Sequence, residues 1–423
     1  MKKSISNRDV ERIAQHAGVN TDQVRGALAL NGQVSADTVE RVMASARALR
    51  YTISARDRVA MAADTSVATV NRAYRPDARH LVRPDLLRRI EAEAGRLGYT
   101  PDLVAQARRN HGSPIVALCV DMEQLFNPYH AQMLYHLMQT FLQRDRHPVI
   151  TPITTDRALP ELAQSGVTSS VVLWEGRQTR EQVKLLAATG RQAVLIGRHQ
   201  GVPSAAPDWV TASEILTRCA LDRGYDLLHL GYFSPDHWLP GARLEGVARV
   251  LASHPGPRPQ LHLSTDPKLD PAEAVTTLRR RAQYQAAALF EELSSIPGAI
   301  DVRGAQRGPG ITDELMNGLD GWIGEHGRRV AVLGLSDMTA RGLLHRLQTE
   351  RPAWEVGRQV GVVGYDNIEP LLSYLDPVLT TVAYDMSALA HLVADLTLIP
   401  EQREQWPDAF AVVPTTVVDR QSL

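Results

Sequence analysis

The feature that most restricts what this chain can fold into is a repeat near its start. VSADTVERVMASARALRYT, Val34 to Thr52, aligns without gaps at an offset of 48 with VRPDLLRRIEAEAGRLGYT, Val82 to Thr100. Each copy ends in Leu-x-Tyr, and each opens on a Val, a short polar step and an acidic residue. Apolar residues recur at helical spacing in both: Val39, Val42, Met43, Ala46 and Leu49 in one, Leu86, Ile90, Ala94 and Leu97 in the other. Upstream, Glu11 to Leu30 pairs with Asp57 to Pro76. Each of these reads as a short helix with Ile13 or Val59 and Ala14 or Ala60 on its inner face, a tight turn, and a second helix. The turns are Gly18-Val19-Asn20 and Asp64-Thr65-Ser66, where Asn20 and Ser66 are good N-caps. Helix, tight turn, helix, loop and third helix is the helix-turn-helix plan, whose second helix enters the major groove of DNA. Two copies make a tandem pair of small domains, whereas a solenoid needs at least three.

Charge has to be read against this repeat. The whole chain of 423 residues carries a net charge of −1, which taken alone argues against a nucleic-acid binder. The distribution reverses that inference. Residues 1–111 hold 19 Lys and Arg against 12 Asp and Glu, a balance of +7, and the remainder holds 27 against 35, a balance of −8. A basic head on an acidic body is the sign asymmetry that phosphate contacts require. Of the positive side chains only Lys2, Lys3, Lys184 and Lys268 are lysines, a bias that a GC-rich genome explains without function. With 44% hydrophobic and 22% charged residues the chain is not disordered, collagen-like or a disulfide scaffold. Cys119 and Cys219, in apolar surroundings, read as reduced thiols of a cytoplasmic protein. No apolar run approaches the ~20 residues of a membrane span, and MKKSISNRDVERIAQ lacks the apolar stretch of a secretory signal.

These segments resemble the DNA-binding headpiece of the LacI/GalR family of bacterial transcription regulators. The second copy reads Ser66-Val67-Ala68-Thr69-Val70-Asn71-Arg72-Ala73-Tyr74, close to the family's pattern. The resemblance implies that Val67 and Ala68 face base edges, with Ser66, Thr69 and Asn71 in the same contact set. It carries Arg72 over as a base or phosphate contact. A guanidinium bonds guanine bidentately, and small apolar groups pack on a thymine methyl, so the chemistry agrees. The first copy departs from the pattern. There Asn20, Thr21, Asp22, Gln23 and Arg25 occupy the candidate contact positions, but the Arg position has become Gly26 and a base-facing position has become Asp22. That copy either contacts DNA differently or serves as a packing module. After the second copy, Thr100 to Arg109 resembles the family's hinge helix, with Pro101 and Asp102 suited to a helix start. Arg108 stands where the family usually has a minor-groove Leu wedge; Arg can instead enter a narrow A·T-rich groove.

From Ser113 the pattern changes to strands separated by helices. Apolar runs at Ile115–Val120, Val149–Thr151, Val171–Trp174, Ala193–Ile196, Leu227–Gly231, Val330–Leu333 and Val360–Val363 predict strands. Helical stretches such as Ala131–Gln143, Arg180–Ala188 and Leu335–Gln348 lie between them, so parallel sheets covered on both faces are expected. The resemblance extends here through IVALCVDMEQLFNPYH, LGYFSPDHWLPGARLEG, VAVLGLSDMTARGLLHRL and VGVVGYDNIEPLLSYLDPVLTTV. It implies an α/β, two-lobed, periplasmic-binding-protein-like sensor domain, preceded by two all-α helix-turn-helix domains. The boundaries that follow are 1–53, 54–100, a hinge at 101–112 and the effector-binding and dimerisation domain at 113–423. Carried over position by position, the ligand residues are Tyr129, Arg243, Ser336, Asp337 and Asp366. For Ser336, Asp337 and Arg243, helix capping or strand-end bonding is the competing role. Ser253 to Gly327 is longer than the family's usual segment and rich in Pro, Gly and Arg.

Enzyme signatures are missing from the sequence. It contains no Gly-x-Ser-x-Gly, no Gly-Lys-Ser/Thr loop and no His-Glu-x-x-His. Neither His130 and His136 nor His229 and His237 have helical metal-pair spacing, and Gly304–Gly310 reads as a loop. The expectation is a cytoplasmic homodimeric regulator, a repressor, with no cofactor, metal or membrane partner. Its partners are a double-stranded DNA operator and a sugar or nucleoside-like effector. The alternative is an architectural DNA-bridging protein whose body only dimerises. The closing VVDRQSL holds no tetramerising heptad, which favours a dimer.

Overall fold

The computed structural model describes residues 7–29, 34–75, 78–99, 113–154, 159–165, 167–176, 178–188, 192–233, 238–265, 270–301, 313–372, 374–398 and 410–423. The chain divides into two compact units, Met1–Gln106 and Ala107–Leu423. The expected hinge helix with Arg108, and Gly304–Gly310, lie outside the described residues.

The first unit is helical. Its helices are α1 (Asn7–Ala17), α2 (Thr21–Ala29), α3 (Ala36–Ala48), α4 (Ala55–Ala62), α5 (Val67–Ala73) and α6 (Pro84–Arg96). They form two three-helix modules whose equivalent residues do equivalent work. Ile13, Ala14, Ala17, Val24, Ala27, Val42 and Ala46 are buried in one core. Val59, Ala60, Ala63, Val70, Ala73, Ile90 and Ala94 stand in the other. The shared Leu-x-Tyr has a backbone cause. Its middle residue, Arg50 or Gly98, sits at φ 60° and turns the chain out of the third helix. The following Tyr51 or Tyr99 N–H then donates 2.8 Å to the carbonyl of Ala46 or Ala94. Gly18 and Asp64, at φ 64° and 46°, end the first helix of each module in the same way. The tyrosines tie back to their modules: Tyr51 donates to Asp9 at 2.8 Å, and Tyr99 accepts from Arg56 Nε at 3.3 Å.

In the second unit the described residues form two sheets. The first lobe holds β1 (Ile115–Asp121), β2 (His147–Ile153), β3 (Thr168–Trp174), β4 (Gln192–Ile196), β5 (Ser204–Pro207) and β12 (Phe410–Val413). They are ordered β2-β1-β3-β4-β5-β12 and all pair in parallel. Val116, Leu118 and Val120 of β1 face one layer and Ala117 and Cys119 the opposite one, so β1 reads as a continuous apolar run. The second lobe holds β6 (Leu227–Phe233), β7 (Gln260–Thr265), β8 (Ile300–Asp301), β9 (Val330–Leu333), β10 (Val360–Tyr365), β11 (Thr380–Tyr384) and β13 (Thr415–Val418). Their order is β8-β7-β6-β9-β10-β11-β13, with β13 antiparallel to β11. All seven expected strands form. The described residues between Ser253 and Gly327 contribute β7, β8 and the helices Pro271–Arg280 and Tyr284–Ser294.

Between the lobes the chain passes after β5, after β11 and between β12 and β13. Two of these passes are bonded to each other: Asp208 N–H donates to Val413 C=O at 2.9 Å, and Thr415 Oγ1 donates to Asp208 C=O at 3.0 Å. Short passes held this way leave the lobes able to hinge only about one edge of a cleft.

Candidate functional site

The candidate DNA contacts of the second module lie on α5 and its cap. Ser66 accepts the Thr69 N–H at 3.1 Å, which starts the helix and satisfies one of its orphan donors. Val70 and Ala73 are buried inward, while Ala68 and Arg72 are exposed and Val67, Thr69 and Asn71 are half-buried. Of the candidate contacts on this short helix, Ala68 and Arg72 face outward, whereas Val67 packs against the module's core. In the first module Asn20 and Gln23 cap reciprocally: Asn20 Oδ1 accepts from Gln23 N–H at 2.7 Å, and Gln23 Oε1 accepts from Asn20 N–H at 3.0 Å. Asp22 and Arg25 are exposed, Thr21 is half-buried, and Gly26 is buried.

In the body, three of the five candidate ligand residues come together where the strands of both lobes end at the cleft, the usual ligand location in open α/β sheets. Tyr129 starts the helix Pro128–Gln143, whose Asn127 cap accepts its N–H at 3.0 Å. Arg243 lies on the helix Trp238–Ser253 and is held from two sides. Its guanidinium sits 3.7 Å from the centre of the Tyr365 ring, and its Nη1 donates to Gly334 C=O at 2.6 Å. Burial lowers the pKa of Arg243, opposed by Tyr365 and Asp366. Asp366 follows β10 at φ 101°. Burial pushes its carboxyl up to about 7, helped by Asp337 and opposed by Arg243. Tyr129 is raised mainly by burial, with the Asp366 charge adding to it.

Ser336 and Asp337 sit apart from this group in what they do. Ser336 caps the helix Asp337–Glu350 by accepting the Thr339 N–H at 3.2 Å. Asp337, 1% exposed, accepts from Ile368 N–H at 2.7 Å and from Thr381 Oγ1 at 2.5 Å. It staples the segment after β10 to β11 and so fixes Asp366 from behind. Burial pushes its carboxyl up to about 6. Gly364 makes the staple possible, since a Cβ there would collide with Asp337 Oδ1 and with Leu379. Gly364→Ala is therefore expected to lower stability by about 1–3 kcal/mol in urea melts.

Sequence spacing missed the rest of the cleft. Trp174 ends β3 and Tyr384 ends β11. Trp209 packs edge-on against both Tyr365 and Tyr384, at 5.3 and 5.6 Å between ring centres. His130 lies edge-on to Tyr129 at 4.9 Å and 6.0 Å from Trp174. Burial pulls its pKa down to about 4, so the ring is neutral. Three buried polar atoms along this aromatic crevice have no hydrogen-bond partner among the described residues: Arg243 Nε, Trp174 Nε1 and His130 Nδ1. Two of them are obligate donors, and such groups are expensive to bury unpaired. Glu175, next to Trp174, joins the lobes. Its carboxylate accepts from Trp238 N–H at 2.6 Å and lies 3.5 Å from Arg281 Nη1 in the second lobe, and it accepts Arg198 N–H at 3.3 Å in its own. Burial pushes it up to about 7 against all three of those partners.

The profile of the periplasmic binding protein-like domain matches residues 262–423. A complex of the lac repressor dimer with operator and the anti-inducer ONPF superposes with TM-score 0.58 at 18% identity, covering 86% of this chain and 97% of that one. The body has the periplasmic-binding-protein-like fold. The transcriptional regulator CelR in complex with cellobiose gives TM-score 0.52 at 18% identity, covering 87% of this chain and 99% of that one. A periplasmic binding protein/LacI transcriptional regulator from Alkaliphilus metalliredigens, complexed with D-xylulofuranose, gives TM-score 0.50 at 13% identity, covering 73% and 99%. Comparison of the sequence with curated proteins returns no match.

Elsewhere, His229 and His262 face each other across β6 and β7, Nδ1 to Nδ1 at 2.9 Å, under Trp322. No group of three or more His, Cys, Asp or Glu among the described residues could hold a metal. No described helix is long and apolar enough to cross a membrane.

Proposed function

We propose that this chain is a sequence-specific DNA-binding transcription regulator of the LacI/GalR kind, a cytoplasmic homodimeric repressor. The second three-helix module is its helix-turn-helix reader, and a small polar ligand in the cleft sets its operator affinity. The observation that carries the reading is the join of two structures in one chain. A two-lobed cleft with unpartnered donors follows a basic helical unit that presents Ala68 and Arg72 outward on a Ser66-capped helix. A cleft of this kind detects a ligand, and an exposed short helix in a basic unit reads a groove. Ligand acts by favouring one closure of the lobes over another, which shifts the population competent for DNA.

The crevice defines the ligand's chemistry. Arg243 Nε and Trp174 Nε1 can only donate, so the ligand offers acceptor oxygens. Trp174 and Tyr384, half-buried at the ends of β3 and β11, offer aromatic surface that suits the face of a sugar or a nucleoside. The alternative of a body that only dimerises leaves these donors without a purpose.

Arg72→Ala is the direct test of the reader. In a footprint on DNA selected from random duplexes, the variant is expected to lose about 1–3 kcal/mol of affinity and to relax base choice at one position per half-site. An unchanged footprint and affinity would remove α5 from the reading role.

A further inference from the structure

We infer that the first three-helix module braces the reading module and is not itself a second reader. The inference rests on the proposal that α5 reads DNA. Its basis is where the two modules differ. At an offset of 46, Gln15, Gly26 and Ala29 of the first module correspond to Met61, Arg72 and Arg75 of the second. Gln15 is exposed, but Met61 packs against the core of the first module. Arg72 is exposed, but Gly26 is buried. Ala29 is 3% exposed, and its carbonyl accepts from Arg96 Nη2 of the second module at 2.7 Å, with Arg96 steadied by Glu93 at 2.7 Å. The helix α2 packs against α4 as well as against its own α3. The consequence shows in the burial of the two equivalent helices. Where α5 buries Val70 and Ala73, α2 buries Val24 and Ala27 and also Gly26, Leu28 and Ala29.

The differences between the copies therefore concentrate where the modules meet. A glycine removes the side chain that a reader projects and lets a neighbouring helix approach α2 closely. Methionine on α4 fills the apolar contact that a glutamine leaves to water. The polar groups that remain on α2 point the same way. Asn20 and Gln23 hold each other's backbone N–H, and Asp22 presents a negative charge that phosphate repels. Packed this way, α2 holds α4 by direct contact and α6 through Arg96, the two helices against which α5 packs, and one protomer presents one reading helix.

The test uses the full chain and a duplex it selects from a random-sequence pool. The double variant Asp22→Ala, Arg25→Ala is expected to keep the same hydroxyl-radical footprint and an affinity within about twofold, because these side chains touch no base. Met61→Gln is expected to speed hydrogen exchange of α2 and α4 amides and to weaken binding with no change in footprint length. A shortened footprint or a loss of about tenfold in the double variant would make the first module a second reader. Unchanged exchange in Met61→Gln would remove the brace. Failure of the underlying reading is seen separately, as an Arg72→Ala chain that binds normally.

Discussion

Replacing Arg243 with alanine is expected to cost the cleft roughly 10- to 100-fold in ligand affinity, the largest effect expected on the cleft. The guanidinium is fixed before any ligand arrives, by the Tyr365 ring at 3.7 Å and by Gly334 C=O at 2.6 Å. Its ordering entropy is therefore charged to folding and not to binding. Its Nε is buried without a partner, in a crevice walled by Trp209 and Tyr365. A charge-assisted bond from such a group contributes about 1.5–3 kcal/mol, and alanine would also leave Asp366 without its opposing cation. The measurement is a thermal-shift screen of sugars and nucleosides on the unmodified chain, repeated on Arg243→Ala with whichever compound stabilises it. A shift of equal size in the variant would take Arg243 out of the site. No stabilising compound at all would favour a body that only dimerises.

How far the sequence could lead to this site depended on whether a residue's role is local. The tandem modules were readable because helix-capping and αL turns are local events: Gly18, Asp64, Arg50 and Gly98 take the same positive φ wherever the repeat places them. The strands were readable as apolar runs, because parallel sheets are buried on both faces. Short strands were not: Ser204–Pro207, Thr380–Tyr384 and Phe410–Val413 are too short or too polar to show a period. The Glu175 contact to Trp238 and Arg281 joins residues 63 and 106 positions apart. The His229–His262 pair depends on the register of β6 with β7. Asp337 shows the opposite limit. Its place in the motif was plain, but its bonds to Ile368 and Thr381 make it framework, a role that spacing cannot separate from ligand contact.

Stability is expected to fall as pH rises from about 6.5 to 8, because the cleft's carboxyls are buried more thoroughly than they are paired. Glu175 and Asp366 are pushed up to about 7 from ordinary values of 4.5 and 3.8, and Asp337 to about 6 from 3.8. In the unfolded chain all three are ionised by pH 6. The folded chain still holds protons there, and it gives them up only as pH passes the raised values. The folded state therefore binds more protons through this window, so the free energy of unfolding declines with rising pH. Asp337 and Asp366 raise each other, so they titrate as a pair and not as two independent sites. Histidine works against this trend at lower pH. Burial lowers both His130 and His229, and their neutral forms cost stability once the unfolded imidazoles begin to protonate below about 6.5. The two trends oppose each other below that pH, so the gain in stability toward lower pH becomes shallower there. Melting at pH 6.5, 7.2 and 8 should show a decline of several degrees, at about 2–4 °C per kcal/mol for a domain of this order. Glu175→Gln should flatten the slope, because a neutral amide keeps the volume and removes the buried charge. It should also weaken the tie to Arg281 that holds the lobes together, so ligand-free scattering should show a wider molecule even as the melting temperature at pH 8 rises. A melting temperature independent of pH, unaltered by Glu175→Gln, would mean that water reaches these carboxyls and that the lobes stand open in solution.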